Sequence, residues 1–230
     1  MKTIGIIGGM GPLATIDIFK KIVENTPVKK DQEHIPILIA NIPQVPDRTK
    51  SILDNGESPV PAIVESGKKL EQAGADFLII PCNTSHYYFD EIAKSFDIPI
   101  VNMVDLTVDA VSKCGFKKVA VIGTSGTIKT GIYQKKFAEK HVVCAELSEE
   151  ETAIVDDAIY NVVKAGNFSR DISKFIDLMD KLLKDDAEII VLACTELPVL
   201  FKTYNLTYKT IDPTELLALE SINIALDRRN

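Results

Sequence analysis

Apolar and polar positions along this chain fall into short runs that predict strands, separated by longer stretches with helical spacing. Lys2–Gly8 is an apolar strand pattern, and Gly8-Gly-Met-Gly-Pro12 is a glycine-rich turn into Leu13–Asn25, where apolar residues recur at helical intervals. Ile35–Ala40 predicts the next strand, Asn41–Arg48 a proline-interrupted loop, and Pro59–Ala73 a helix ended by Gly74. A third apolar run, Phe77-Leu-Ile-Ile-Pro-Cys82, reads as a buried strand with Cys82 at its carboxyl end. Small polar residues then open a helix over Thr84–Ser95. Ile98–Asn102 is a short strand, and Val104–Lys113 a helix that closes near Gly115. Strands alternating with helices in this way predict a parallel sheet covered on both faces.

The same order then restarts. Lys117-Lys-Val-Ala-Val-Ile-Gly123-Thr-Ser-Gly126-Thr-Ile-Lys-Thr130 aligns without gaps to Lys2-Thr-Ile-Gly-Ile-Ile-Gly8-Gly-Met-Gly11-Pro-Leu-Ala-Thr15. Val142–Ala145 stands where Ile35–Ala40 stood, and Glu149–Lys164 and Arg170–Leu183 are expected helices separated at Ala165-Gly-Asn-Phe168. Ala187-Glu-Ile-Ile-Val-Leu-Ala-Cys194 again carries an apolar run into a cysteine, 112 positions after Cys82. Tyr208–Ile211 with Asp212 matches Ile98–Val101 with Asn102. Internal duplication is the simplest account. The fold expected is α/β, with two similar flavodoxin-like domains, each a parallel four-stranded sheet, related by a pseudo-two-fold axis with the site in the cleft between them. The boundary falls near Gly115. Residues 1–114 form the first domain together with the C-terminal helix (213–230, with Pro213–Arg229 packing back across the junction), and residues 115–212 form the second.

Composition narrows the function. The chain has 230 residues, 46% hydrophobic and 26% charged, which is the balance of an ordinary globular protein. No apolar run approaches the roughly 18 residues a bilayer span needs, and the first residues enter a strand without a signal-peptide pattern, so a cytoplasmic protein with no membrane partner is expected. A net charge of −7, with no basic run beyond pairs, argues against a nucleic-acid partner. The cysteines at 82, 114, 144 and 194 contain no C-x-x-C and are expected to be free thiols. Cys82 with His86, and His141 with Cys144, are the close Cys/His pairs, and each supplies too few ligands for a metal site. Gly9-Met-Gly11-Pro-Leu-Ala14 fits the G-x-G-x-x-A form of a dinucleotide turn, but the following strand ends at Asn41 with no acidic residue for a ribose. A tight turn into a helix and a backbone cradle for a small anion remain as alternatives there.

Two cysteines in duplicated contexts carry the chemical expectation. Related strand ends can face each other across the cleft, so Cys82 and Cys194 would approach one small ligand from opposite sides. Asn83-Thr84-Ser85 and Thr195-Glu196 follow them, and amides at a helix start bind anions and favour a nearby thiolate. One thiolate base and one thiol acid suit removal of a proton from one face of a carbon and its return to the other. Glu196 stands close enough to orient the Cys194 thiol or a substrate ammonium group. Thr124 and Ser125 occupy, in the second half, the positions of Gly9 and Met10 and could border the cleft. Cys114, in a predicted helix, and Cys144, in a predicted strand, read as packing residues, and His86 as structural or supporting. Arg48 is one of four arginines in a chain that otherwise uses lysine, and its planar fork suits a carboxylate.

At these residues the sequence resembles the cofactor-independent aspartate/glutamate racemases. Pro81-Cys82-Asn-Thr, Ala193-Cys194-Thr-Glu-Leu-Pro and the opening Ile-Gly-Ile-Ile-Gly-Gly-Met-Gly-Pro carry the resemblance, which is strongest to the aspartate racemase branch and covers essentially the whole chain. It implies an isomerase that racemises a small acidic amino acid through two thiols at Cα, with no cofactor, neither pyridoxal phosphate nor metal, in a homodimer. It further implies that Asn83, Thr84, Ser85 and Thr195 bind the α-carboxylate or its neighbourhood, that Met10 lines the cleft, and that Arg48 and Lys164 hold the side-chain carboxylate. Glutamate racemases of cell-wall synthesis open with Asp-Ser-Gly where this chain has Gly9-Met10-Gly11, and carry Cys-Thr-His where it has Cys194-Thr195-Glu196. Those departures favour aspartate and count against an essential role in peptidoglycan supply. Glutamate or broader amino-acid racemisation, a hydantoin racemase, a maleate-isomerase-like enzyme, and a nucleotide- or anion-binding module stand as alternatives.

Overall fold

The computed structural model describes residues 1–228; Arg229 and Asn230, assigned above to the C-terminal helix, lie outside the described residues. The first half contains β1 (Ile4–Gly8), α1 (Pro12–Asn25), β2 (Ile37–Asn41), α2 (Arg48–Leu53), α3 (Val60–Gln72), β3 (Phe77–Ile79), α4 (Phe89–Ala93), β4 (Ile100–Val101) and α5 (Met103–Lys113). The second contains β5 (Lys118–Ile122), α6 (Ser125–Thr130), α7 (Ile132–Glu139), β6 (Val143–Ala145), α8 (Glu149–Asp157), α9 (Ser173–Lys184), β7 (Ile189–Leu192), α10 (Leu197–Thr203), β8 (Thr210–Ile211) and α11 (Pro213–Ala225). The two sheets have equivalent strand orders, β2-β1-β3-β4 and β6-β5-β7-β8, and every pairing is parallel.

Period-two alternation explains how each strand feeds two cores. Ile4, Ile6, Phe77 and Ile79 pack beneath α1 and α11, while Ile7, Leu78 and Ile80 face α3. In the second sheet Ala120, Ile122, Ile190 and Leu192 meet α8 to α10, while Val119, Val121, Ile189 and Val191 meet α7. α5 serves both halves. Its Met103 enters the α1/α11 core, and Val104, Val108 and Val111 enter the second sheet's core beside Tyr133 and Phe137. α11 returns to the first half, where Leu217, Ala218 and Ile222 pack with Ile18 and Ile22 of α1.

Several elements depart from the pattern-based expectation. Arg48 opens a helix, because Asp47 caps it by accepting from the Lys50 amide at 2.9 Å; this Asx cap stands inside what the prolines made look like a loop. The stretch expected as one helix over Thr84–Ser95 is a 3₁₀ turn (Thr84–Tyr88) followed by α4, and α9 begins at Ser173 instead of Arg170. Glu149–Lys164 is helical throughout, but its second half, Ala158–Lys164, is π-helical. α11 stops at Ala225, three residues before the last described position. No helix of the described residues is long and apolar enough to cross a membrane.

Candidate active site

Neither cysteine sits within its strand. The β3 ladder stops at Ile79, because Pro81 has no N–H to donate, and Cys82 lies beyond it; Cys194 lies two residues past β7. Tight backbone turns fix both: the Cys82 amide donates to Ile80 O at 2.8 Å, and the Ala193 amide is shared between Ile122 O and Val191 O. Past Cys82 the chain is held by its own side chains. Ser85 Oγ and His86 Nδ1 both bond the Cys82 carbonyl, at 2.7 and 2.8 Å, and the Met103 amide donates to His86 Nε2 at 3.1 Å. Those partners define a neutral ring protonated on Nδ1. Burial lowers His86 from its ordinary 6.5 to about 4, so it supports the turn and does not titrate near neutrality.

One cleft between the sheets gathers Met10, Arg48, Cys82, Asn83, Thr84, Lys164, Cys194, Thr195 and Glu196. It also brings in Asp47, Thr49, Thr124 and Tyr160. The walls approach so closely that the cavity is only about 10 Å³, room for a single water. Ser85, expected among the ligand-binding residues, is fully buried with its hydroxyl turned onto backbone, and it does not line the cleft; Ser125 does not line it either. Cys114, expected to be packed, is exposed at the end of α5, whereas Cys144 is half-buried and burial pushes its thiol up to about 11.

The glycine-rich turn has already spent the hydrogen bonds that would recommend it as a phosphate cradle. Gly9 N donates to Thr15 Oγ1 at 2.9 Å, and Gly11 N donates to Glu196 Oε1 at 3.1 Å. Gly9 has φ +92°, and a Cβ there would lie 2.4 Å from the Ile42 backbone. The turn is therefore a close-packed support for α1 that delivers Met10 to the cleft.

The electrostatics of the two thiols differ. Glu196 is buried, and its Oε2 accepts from Cys194 Sγ at 3.0 Å and from Thr195 Oγ1 at 3.4 Å. Burial first, and then the Glu196 charge, push the Cys194 thiol well above its ordinary range, against a smaller opposing effect of Lys164. Cys82 instead has Arg48 beside it. Loss of water lowers Arg48, but the sulfur of Cys82 and then the carboxylate of Asp47 outweigh this and the guanidinium is held raised. Arg48 is 8% exposed; Nη1 donates to Val45 O and Pro46 O at 3.3 and 3.0 Å, and its buried Nε has no protein partner. Lys164 comes from the other half. Withdrawal from water lowers it, but Glu196 and then Cys194 outweigh that, and it too is raised. Its side chain is exposed along part of its length, with the ammonium over the Tyr160 ring.

Two further polar groups complete the cleft. Asn83 Oδ1 accepts from Tyr133 Oη at 2.5 Å, which leaves its buried Nδ2 without a partner. Thr84, Thr124 and Thr127 hydroxyls bond one another across the two halves at 2.8 to 3.2 Å. The orphaned donors on Arg48 and Asn83 are what an anionic ligand would satisfy. Of the residues that sequence reasoning missed, Asp47 carried a legible signal as a cap. Tyr160 lies four residues before Lys164 on one helix, a spacing that places two side chains on the same face. Thr49 carried no signal of its own.

In sequence and fold the chain matches known proteins over nearly its whole length. The profile of the family described as Asp/Glu/hydantoin racemase matches residues 7–220. The structure of Picrophilus torridus aspartate racemase is similar with a TM-score of 0.86 and 35% identity, over 98% of this chain and 94% of that one. The broad specificity amino-acid racemase RacX of Bacillus subtilis is 27% identical over 229 residues, 97% of this chain and 98% of its own length. The glutamate racemase of Aquifex pyrophilus is 27% identical over 164 residues, 69% of this chain and 62% of that one. With the profile, the fold and the sequence in agreement, the chain belongs to the Asp/Glu/hydantoin racemase family and is an amino-acid racemase.

Proposed function

We propose that the substrate is a small acidic amino acid, aspartate foremost, and that Cys82 and Cys194 carry out its racemisation as opposed acid and base. The observation that carries this reading is the charge arrangement of the cleft: two cations from different halves, Arg48 and Lys164, are drawn into one small cavity with two buried thiols. A dicarboxylate entering it needs a partner for each charge that loses water. The unpartnered Nδ2 of Asn83, beside Cys82, can serve the α-carboxylate, and Arg48 and Lys164 the side-chain carboxylate.

In the forward step the Cys82 sulfur, beside its cation, takes the Cα proton as a thiolate and becomes a thiol. The electron pair left on Cα moves into the α-carboxylate. The Cys194 thiol, held protonated by burial and by Glu196, gives its proton to the opposite face and is left as a thiolate. The reverse reaction uses the same groups with their roles exchanged, so atoms and charge balance in each direction.

Aspartate is put ahead of glutamate because the likeness to an aspartate racemase, 35% identity over 98% of this chain and 94% of that one, is greater than the 27% identity over 69% of this chain found for a glutamate racemase. Incubating the purified chain with L-aspartate in deuterated water, without added cofactor, tests the assignment, with L-glutamate and L-alanine in parallel. Formation of D-aspartate with deuterium at Cα is expected. Exchange that is absent for aspartate and rapid for glutamate or alanine would overturn the substrate assignment while leaving the family intact.

A further inference from the structure

The cleft has two ends of different character. At the thiol end Cys82, Asn83, Thr84, Cys194, Thr195 and Glu196 are all at most 7% exposed and mostly locked by their own hydrogen bonds. The more open wall is at the cation end, where Thr49 and Tyr160 are half-buried and Lys164 is partly open to solvent. Tyr160 lies in the π-helical stretch Ala158–Lys164, a local winding that recurs at functional positions. Its ring lies under the Lys164 ammonium, with Nζ 4.8 Å from the centroid, and its hydroxyl donates to Thr49 Oγ1 at 3.1 Å in the other half. Thr49 directly follows Arg48. It has no room to retreat, since a Cβ on Gly126 of α6 would come within 2.8 Å of Thr49 Oγ1.

One side chain thus props one cation, bonds the residue next to the other, and spans the cleft between them. We propose that Tyr160 is a positioning residue that sets the length of the acid this enzyme accepts, a proposal that rests on the acidic-substrate reading above. The gap between the lobes at the cation end is fixed by the reach of a tyrosine. A four-carbon dicarboxylate, once the walls of the cleft have parted to admit it, is to place its far carboxylate between Arg48 and Lys164 with the Tyr160–Thr49 bond intact. A five-carbon one pushes its extra methylene against that bond and must break it or displace Lys164 from the ring. Discrimination over one methylene in a fitted pocket is about 10- to 200-fold, and the bond's share of it is what Tyr160 contributes.

The test compares wild type, Tyr160→Phe and Tyr160→Leu in two ways. The first is calorimetric binding of succinate and glutarate, unreactive four- and five-carbon probes; the second is kcat and KM for aspartate and glutamate. Wild type is expected to bind succinate more tightly than glutarate. Tyr160→Phe keeps the ring under Lys164 and loses only the bond, so the four-over-five-carbon preference should narrow by about two- to tenfold. That change should appear in Kd and KM, with kcat for aspartate within about twofold. Tyr160→Leu removes the ring as well, so the preference should narrow further and KM for aspartate should rise, because Lys164 loses its cation–π support. An unchanged preference in both folded variants overturns the proposal, as does a wild type that binds neither probe. Length-selective binding that Tyr160→Phe relaxes, in a chain that racemises neither acid, supports the role of Tyr160 and removes the acidic racemase assignment.

Discussion

The two thiol sites occupy equivalent places in two equivalent sheets, yet their surroundings are opposite in charge. Two positions past Cys82 stands Thr84, a neutral residue whose hydroxyl bonds Thr124 and Thr127. Two positions past Cys194 stands Glu196, whose carboxylate accepts directly from the thiol and ties it to the Gly11 amide across the cleft. Arg48 lies beside Cys82, and Lys164 only partly offsets Glu196 at Cys194. The two sheets form a symmetrical frame, and different residues at matched positions make it electrostatically one-sided. A symmetrical pair of buried thiols would rest in the same protonation state, whereas a proton donor opposite an acceptor needs different ones.

The largest expected effect comes from removing either thiol. Cys82→Ala and Cys194→Ala should each lower racemisation of aspartate by at least about a hundredfold in both directions, because in the proposed mechanism every turnover uses one acid and one base. Each variant keeps one thiol facing one side of Cα, so α-deuterium exchange of a single enantiomer is expected, opposite in the two variants. NMR of aspartate recovered from deuterated buffer checks this. Near wild-type racemisation by Cys82→Ala would break the two-thiol comparison outright.

Smaller effects should separate the partners of the two sulfurs. Arg48→Ala removes a charged hydrogen-bonding partner, worth about 1.5–3 kcal/mol, and should lower kcat/KM for aspartate by roughly ten- to a hundredfold or somewhat more. Turnover of alanine should suffer much less, and Arg48→Lys should restore only part of the loss, since an ammonium lacks the two parallel donors of a guanidinium. Glu196→Gln keeps the acceptor for the Gly11 amide but removes the charge, so its effect on kcat/KM should stay within about tenfold. Its signature is in the pH profile. Without the carboxylate the upward push on Cys194 weakens, and alkylation of Cys194 by iodoacetamide should begin at lower pH than in wild type, with Arg48→Ala leaving that onset unmoved.

How much of this was legible in the sequence depends on the kind of signal. The two parallel sheets of equivalent order, and the place of Cys82 and Cys194 just past matched strands, could be read because each is written in local periodicity or repeated spacing. Helix α2 was hidden because two prolines in a short stretch, Pro43 and Pro46, outweighed a single Asx cap at Asp47. Ser85 and Glu196 could not be placed from type alone. A serine beside a cleft thiol has the same composition whether its hydroxyl faces a ligand or the carbonyl three residues back, and here it bonds Cys82 O. A glutamate in a first helical turn has the same type whether it faces solvent or a thiol, and here it is buried with the Gly11 turn of the other half donating to it. Tyr160 and Thr49, 111 residues apart, meet only through packing of the two lobes.

The last contrast between the halves is in how each cysteine turn is held, and it should appear in stability while leaving the chemistry alone. At the place of His86 the second half has Pro198 in the first turn of α10, which needs no buried titratable group. In the first half the neutral His86 ring bridges Cys82 O and Met103 N, with Phe89 stacked on it; Asp105 and Lys136 are the charged groups that act on it. Burial sets its folded value at about 4, below the ordinary 6.5 that the unfolded chain retains, so between those values the unfolded chain binds the additional proton. Stability therefore falls as pH drops from about 6.5 to about 4 and levels off below that, a loss of about 3 kcal/mol at 1.36 kcal/mol per pH unit. Denaturant titrations from pH 7 to pH 4 should show this slope in wild type and a flatter one in His86→Gln, whose side chain does not titrate. At pH 7 the variant should lose stability through packing while the iodoacetamide pH profile of Cys194 stays in place. An unchanged acid slope in His86→Gln would assign the pH sensitivity to the carboxylates, and the two cysteine turns would then be held equally well.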